Sequence, residues 1–158
     1  MLEDISFLLN KAYFYLKFRP RTEKEIRDYL YKKIINTHFS RADVEVVIEK
    51  LKDQDLINDE KFMDMYIKDR LNLKPKGKKI LIKELENKGV PKELINKYFE
   101  NNNINEEELA KKILAKRVGR YFSLDRKKAK EKAYRFLLSR GFSYETAKKT
   151  IEDLLEKE

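Results

Sequence analysis

The sequence predicts an all-α protein: an elongated array of three tandem three-helix repeats. Apolar residues recur at i, i+3 and i+4 almost throughout, without sustained alternation of period two, so helices are expected and strands are not. Only four glycines and three prolines occur in 158 residues, which favours long regular elements joined by tight turns. One apolar pattern then recurs about every fifty residues, and such a period is typical of stacked helical repeats.

The second helix of each repeat is defined by two apolar residues, six and ten positions after a fixed starting point. The starting point is proline in the first two copies and lysine in the third. The three sets are Pro20 with Ile26 and Leu30, Pro75 with Leu81 and Leu85, and Lys127 with Ala133 and Leu137. Residues four apart share one helix face, so each pair is expected to face the core. The prolines are expected in the first helical turn, where a missing N–H costs little.

The third helix follows in the same register. An apolar residue precedes it, and further apolar residues come five and nine positions later. The sets are Phe39 with Val44 and Ile48, Val90 with Ile95 and Phe99, and Phe142 with Ala147 and Ile151. Gly89 and Gly141 stand just before the second and third sets, where glycine can close the preceding helix in a left-handed conformation.

The first helix of each repeat matches less closely. Segments 56–70 and 103–117 align, with Asn58 and Asn105 as N-caps followed by acidic residues that suit the helix dipole. A helix over about residues 6–17 would fill the same place in the first copy. The sequence thus predicts nine helices in repeats spanning 1–58, 59–105 and 106–158.

The net charge of +9 is concentrated toward the C-terminal third. Residues 111–135 contain eleven Lys or Arg against only Asp125 and Glu131. A basic field of this density favours an anionic partner, although a solvated helical surface is the alternative interpretation.

Cations recur near the start of the second helix in every repeat. Two more, Arg117 and Arg120, lie within the basic segment 111–135. The candidate partner-binding or anion-binding residues are Arg19, Arg21, Lys74, Lys76, Lys78, Lys79, Arg117, Arg120, Arg126, Lys127 and Lys128. Equivalent positions of stacked repeats tend to lie along one face, which could follow a phosphate backbone or an acidic protein groove. Of the nearby aromatic residues Tyr13, Phe14, Tyr15, Phe18, Tyr121 and Phe122, core packing is expected for most, with Tyr15, Phe18 and Tyr121 exposed.

Enzymatic chemistry finds little support in the residue types present. The stretch NLKPKGKKIL (72–81) has one glycine and lacks the pattern of a phosphate-binding loop. Cysteine is absent and His38 is the only histidine, so no catalytic residues, cofactor or metal site are predicted. No apolar run approaches the roughly 20 residues of a membrane span, and a cytoplasmic protein is expected.

The chain resembles the RecX family of bacterial regulators of the RecA recombinase. The resemblance rests on motifs whose order and spacing cover nearly the whole sequence: residues 19–26 with Leu30, 56–62, 76–85, 88–90 and 136–143. Two departures are the extended link IINTHFS after the second helix and Asn58, where the family often has Asp.

The resemblance implies a helical protein of tandem three-helix units that binds the RecA filament on DNA. It also implies restraint of ATP hydrolysis and strand exchange in recombination and DNA repair, and in some members direct DNA binding. A monomer is expected. Two other functions remain open on the residues alone: a DNA-binding protein of the helix–turn–helix type, and a helical scaffold for an acidic protein.

Overall fold

The computed structural model describes the backbone of residues 2–121 and 123–156, with side chains from 5 to 155 except 122. These residues form ten α-helices and a final π-helical segment, Glu152–Glu156, and they include no strand. The α-helices are Leu2–Phe18 (α1), Glu23–Lys33 (α2), Arg41–Asp53 (α3), Asp59–Leu73 (α4), Lys78–Asn87 (α5), Lys92–Asn101 (α6), Glu106–Ala115 (α7), Val118–Tyr121 (α8), Arg126–Ser139 (α9) and Tyr144–Ile151 (α10). The prediction of an all-α fold built of tandem three-helix repeats is confirmed.

The chain divides into two compact units, each with its own core. One unit comprises the residues up to Met65 together with Leu85–Ile95, and the other comprises Tyr66–Glu84 together with the residues from Asn96 onward. This division does not follow the three repeats, whose boundaries stay a prediction.

The core of the first unit joins α1, α2 and α3. Its fully buried members come from all three helices and include Leu8, Ile26, Leu30, Val44 and Ile48. Both α2 and α3 begin with a capping box, in which a hydroxyl and an acidic side chain satisfy backbone N–H groups reciprocally. Apolar spacing thus decides which face is buried, while the caps decide where each helix begins.

The core of the second unit joins α7, α8, α9 and α10. Its most deeply buried members are Ala110, Leu114, Ala133, Leu137 and Ala147, each with no exposed surface. Alanine at three of these five positions leaves little volume between the helices, so α7, α9 and α10 can approach one another closely.

The predicted register of the second helices is reproduced by burial. All six members of the +6/+10 pairs are fully buried. In the third helices the positions at +5 are also fully buried, whereas Phe39 and Phe99 are only half-buried.

Helix starts differ from the prediction in two respects. Pro20 and Pro75 lie ahead of α2 and α5 rather than in their first turns, and the N-cap of α2 is Thr22. In the third repeat α9 begins earlier in the register, with Asp125 as N-cap, and the four-residue helix α8 precedes it. The structure therefore has ten α-helices in the described residues where nine were predicted, and Lys127 lies inside a first turn.

The start of α2 is closed by residues from later in the chain. The Thr22 hydroxyl donates to the carbonyl of Lys88 at 2.5 Å, and Asp59 accepts the backbone N–H of Glu23 at 2.9 Å. Gly89, with φ of +89°, forms the turn after Lys88, and a Cβ there would meet the Lys24 side chain at 2.3 Å. The left-handed turn predicted at this glycine is thus also a packing contact.

The start of α5 also contacts a glycine turn from later in the chain, but through a backbone N–H in place of a side-chain hydroxyl. The backbone N–H of Gly77 donates to the carbonyl of Arg140 at 2.7 Å, and a Cβ on Gly77 would lie 2.1 Å from the carbonyl oxygen of Gly141. Gly77 occupies the position of Thr22, two residues after the proline. In both places the start of a second helix contacts the glycine turn that ends the second helix of the next repeat.

Candidate anion-binding groove

A groove in the second unit is lined by four cationic side chains and, among the described residues, by no acidic one. It has a volume of about 450 Å³ and lies beside α8 and α9. Its lining consists of Arg117, Arg120, Lys132, Arg135, Phe136 and Ser139, with the buried Tyr121 beneath. We call this feature the basic groove.

Helical periodicity explains why these residues converge. Lys128, Lys132, Arg135 and Ser139 are spaced at i, i+4, i+7 and i+11 on α9, so they share one face. Core residues Ala129, Ala133 and Leu137 occupy another face of the same helix.

Two arginines of this region stack on one ring. The guanidinium of Arg117 lies 4.0 Å from the centre of the Phe136 ring, and that of Arg140 lies 5.2 Å from it. A guanidinium held on an aromatic face keeps its in-plane N–H groups available to an acceptor. Arg120, Lys132 and Arg135 are exposed, and none has a carboxylate partner among the residues that the structure describes.

In the second repeat, the equivalent cations share one internal carboxylate, that of Glu84. Glu84 accepts hydrogen bonds from Arg70 Nε at 3.1 Å, from Lys76 Nζ at 2.8 Å and from the Tyr66 hydroxyl. Burial alone would raise the pKa of Glu84, but the hydrogen bonds from Lys76 and Tyr66 and the charge of Arg70 outweigh it and lower the pKa. Both cations of this cluster thus have a carboxylate partner within the protein.

The predicted cations of the first repeat, Arg19 and Arg21, both contact other side chains of the protein. Arg19 makes a two-pronged ion pair with Glu25, with N–O distances of 3.3 and 2.5 Å. Arg21 stacks on the Tyr15 ring at 3.8 Å. Both side chains retain some exposure and line a separate groove that also contains Asp55.

The four lysines of NLKPKGKKIL differ in whether they contact another side chain of the protein. Lys76 binds Glu84, while Lys78 lies 5.2 Å from the Phe99 ring. The backbone N–H of Lys78 also donates to Glu106, so the N-terminus of α5 has an anion from its own chain. Lys74 and Lys79 are exposed and have no carboxylate partner in the described residues.

Of the predicted cations in the third repeat, Arg117 and Arg120 line the basic groove. Arg126, Lys127 and Lys128 are exposed in the first turn of α9, and only Lys128 shares the groove face. Lys132 and Arg135 were missed by the prediction. Their spacing of four and seven residues from Lys128 was the signal that could have identified them.

The aromatic predictions fare unevenly. Phe18 is 66% exposed, as predicted. Phe14 is also exposed, at 57%, although it was not among the aromatic residues predicted to be exposed. Tyr15 is half-buried and stacks on Tyr29 with ring centres 4.1 Å apart. The prediction that Tyr121 is exposed is wrong, because α8 turns this side chain into the core. Phe122 lies outside the described residues.

The described part of the chain contains neither a candidate metal site nor a candidate membrane span. His, Asp and Glu side chains form no group of three there that could hold a metal ion. His38 is exposed with its ring 4.3 Å from that of Phe39. None of the described helices is both long and apolar enough to cross a membrane.

Fold and groove together define a tandem three-helix repeat protein with a basic groove in its last repeat. Three family models match it in order: the first three-helix domain of RecX over residues 9–51, the second over 58–98 and the third over 105–151. The chain belongs to the RecX family.

Relatives support the same assignment. The Regulatory protein RecX of Streptococcus mutans serotype c is 31% identical over 152 residues, which cover 96% of this chain and 57% of the relative. That of Listeria welshimeri is 35% identical over 141 residues, covering 89% of this chain and 51% of the relative. The chain thus spans little more than half the length of these relatives.

Crystal structures agree with the fold. The structure of RecX from Lactobacillus salivarius superposes with a TM-score of 0.81 at 28% identity, covering 98% of each chain. A second structure, of a regulatory protein RecX, gives a TM-score of 0.74 at 25% identity over 97% of this chain and 73% of the other.

Proposed function

We propose that this protein is a non-enzymatic regulator that binds the RecA recombinase filament and inhibits its ATPase and strand exchange. Membership of the RecX family supports the regulatory role, and the basic groove is the observation that supports binding to an anionic partner. Four cations converge there, and no acidic residue lines the groove in the part of the chain that the structure describes. Such a surface attracts and orients a negatively charged partner over several ångströms.

The test is the single-stranded-DNA-dependent ATPase of recombinase, measured with increasing amounts of this protein. We expect hydrolysis to fall to a plateau as the protein binds along filaments. A variant with Arg120 and Arg135 both changed to Gln should need a higher concentration for the same effect. Unchanged hydrolysis at saturating protein would contradict the proposal.

Direct binding to DNA is the second candidate, since the same exposed guanidinium groups suit phosphates. The salt dependence of binding distinguishes the two candidate functions. Duplex binding weakens with a log–log slope of roughly −0.9 per phosphate contacted, whereas filament binding supported by apolar contacts should partly survive moderate salt. A preference for naked DNA over filaments would favour the second function.

A further inference from the structure

We infer that the basic groove receives carboxylates of an acidic peptide segment, in the position that Glu84 fills inside the second repeat. The inference rests on the proposed function, because the acidic segment would belong to the protein partner. It assigns that partner a chemistry that neither the fold nor the family name specifies.

The argument begins from equivalent positions in two repeats. Glu84 comes nine residues after Pro75, and Phe136 comes nine residues after Lys127 (84 − 75 and 136 − 127). By the same register Lys76 is equivalent to Lys128, and the helices before them align Arg70 with Arg117. The cations are therefore retained in the third repeat, while the carboxylate is replaced by a phenyl ring.

This replacement leaves the cations of the groove without a carboxylate acceptor among the residues that the structure describes. In the second repeat Arg70 and Lys76 both bind Glu84. In the third, Arg117 rests on the Phe136 ring instead, so its N–H groups have no carboxylate among the described residues. Arg120, Lys132 and Arg135 add three exposed charges to the same groove. Clusters of arginine of this kind are a recurring means of binding acidic motifs.

A peptide fits these observations better than a single-stranded nucleic acid does. Base recognition in such complexes uses open aromatic faces on which bases stack. Here the Phe136 ring already contacts two guanidinium groups, and Tyr121 is only 7% exposed. The second repeat, in contrast, provides a direct precedent for a carboxylate bound by the equivalent arginine and lysine.

The decisive variant is Phe136→Glu, which places in the third repeat the carboxylate that the second repeat already has. We expect it to pair with Arg117 and to compete with an external carboxylate. Asn96→Asp, at an exposed position of α6, changes the net charge equally and is the matched control. Arg120→Gln with Arg135→Gln is a second route that leaves the core untouched.

The probe is a fluorescein-labelled oligoglutamate peptide, titrated with the full chain and followed by anisotropy at constant salt. Wild type and Asn96→Asp should bind it equally. Phe136→Glu and the double arginine variant should each bind about tenfold more weakly, the effect of losing one charge-assisted hydrogen bond. Circular dichroism and thermal melting establish that each variant is folded.

Three results would overturn the inference: no peptide binding by wild type, undiminished binding by both groove variants, or displacement of the peptide by a single-stranded oligonucleotide of equal charge at lower concentration. The last would make the groove a nucleic-acid site. Each leaves the ATPase test untouched, since inhibition of the recombinase can be present without peptide binding, and peptide binding without inhibition.

Discussion

Glu84 illustrates how one side chain decides whether neighbouring cations hold the fold together or remain available to a partner. It gathers Arg70, Lys76 and Tyr66 into one hydrogen-bonded cluster. Its side chain is 19% exposed, so water screens the cluster only partly. Lys76 was predicted to be part of a partner-binding face, and in the structure its side chain binds Glu84 of α5.

Replacement of Glu84 by Gln should therefore destabilise the protein near neutral pH, by about 1–3 kcal/mol, because three donors lose a charged acceptor. The pKa of Glu84 is lowered by folding, so its stabilisation is present above the unfolded value of 4.5 and is lost as the pH falls through the folded value. Urea unfolding across the acid range should accordingly show a weaker pH dependence in the variant.

Glu86→Gln provides the control, since Glu86 is exposed on the same helix and makes no ion pair within the described residues. It should unfold as wild type does. Equal stability of Glu84→Gln and wild type would mean that the cluster contributes nothing to folding.

Gly77 and Gly119 offer a matched pair of glycine-to-alanine changes. A Cβ at Gly77 would lie 2.1 Å from the carbonyl oxygen of Gly141, whereas nothing lies within 4 Å of one at Gly119. Gly77→Ala should cost about 1–3 kcal/mol through overpacking, and Gly119→Ala, inside α8, should be neutral or slightly stabilising. Thermal melting compares them, and the reverse order would exclude the close contact at Gly77.

At the level of elements, the second helices depend on one buried leucine each. Leu30, Leu85 and Leu137 are fully buried at the equivalent position of α2, α5 and α9. Each Leu→Ala change should cost about 2–5 kcal/mol. Leu138→Ala is the control on α9, because Leu138 is 44% exposed and its loss should be small. Denaturant midpoints measure all four, and a tolerated change at Leu85 would show that this position does not support the fold.

How far the sequence specifies these elements depends on the kind of feature. The register of the second and third helices was predictable because burial requires apolar residues at helical spacing. Helix starts were less predictable: Pro20 and Pro75 fit a first turn, yet the N-cap of α2 is Thr22, so the helix begins at Glu23, three residues beyond Pro20. The four-residue α8 carries too little periodicity to be recognised from sequence.

The basic groove was only half predictable for a similar reason. Local density of charge pointed to Arg117 and Arg120, but density does not reveal which cations are already neutralised. That depends on tertiary partners such as Glu25 for Arg19 and Glu84 for Lys76. Lys132 and Arg135 join the groove through the helical face that they share with Lys128.

At the level of the whole molecule, the charge of the third repeat should govern binding to the filament. Reversing Arg126, Lys127 and Lys128 to Glu should weaken co-sedimentation with recombinase filaments at low salt, while helicity is unchanged, since these residues are exposed and unpaired in the described structure. Several charges acting on one anionic partner contribute together.

The matched control reverses three exposed lysines elsewhere, Lys32, Lys92 and Lys97. Lys52 is unsuitable for this control because it binds Glu23 at 2.5 Å. Lys76 is also unsuitable, because it binds Glu84. Full binding by the control and reduced binding by the test variant is the expected result. If the test and control variants lose affinity equally, binding depends on the net charge of the protein and not on a defined surface.

The contact between Thr22 and the carbonyl of Lys88 has a consequence for biosynthesis. The two residues are 66 positions apart, so a ribosome must translate well into the second repeat before the hydroxyl at the start of α2 acquires its acceptor. Thr22 is fully buried in the finished protein, yet it stays accessible to water while the nascent chain is shorter. Chains stalled before Lys88 emerges should be cut more readily near α2 by a protease than chains stalled beyond it, and equal cleavage would show that the first repeat matures alone.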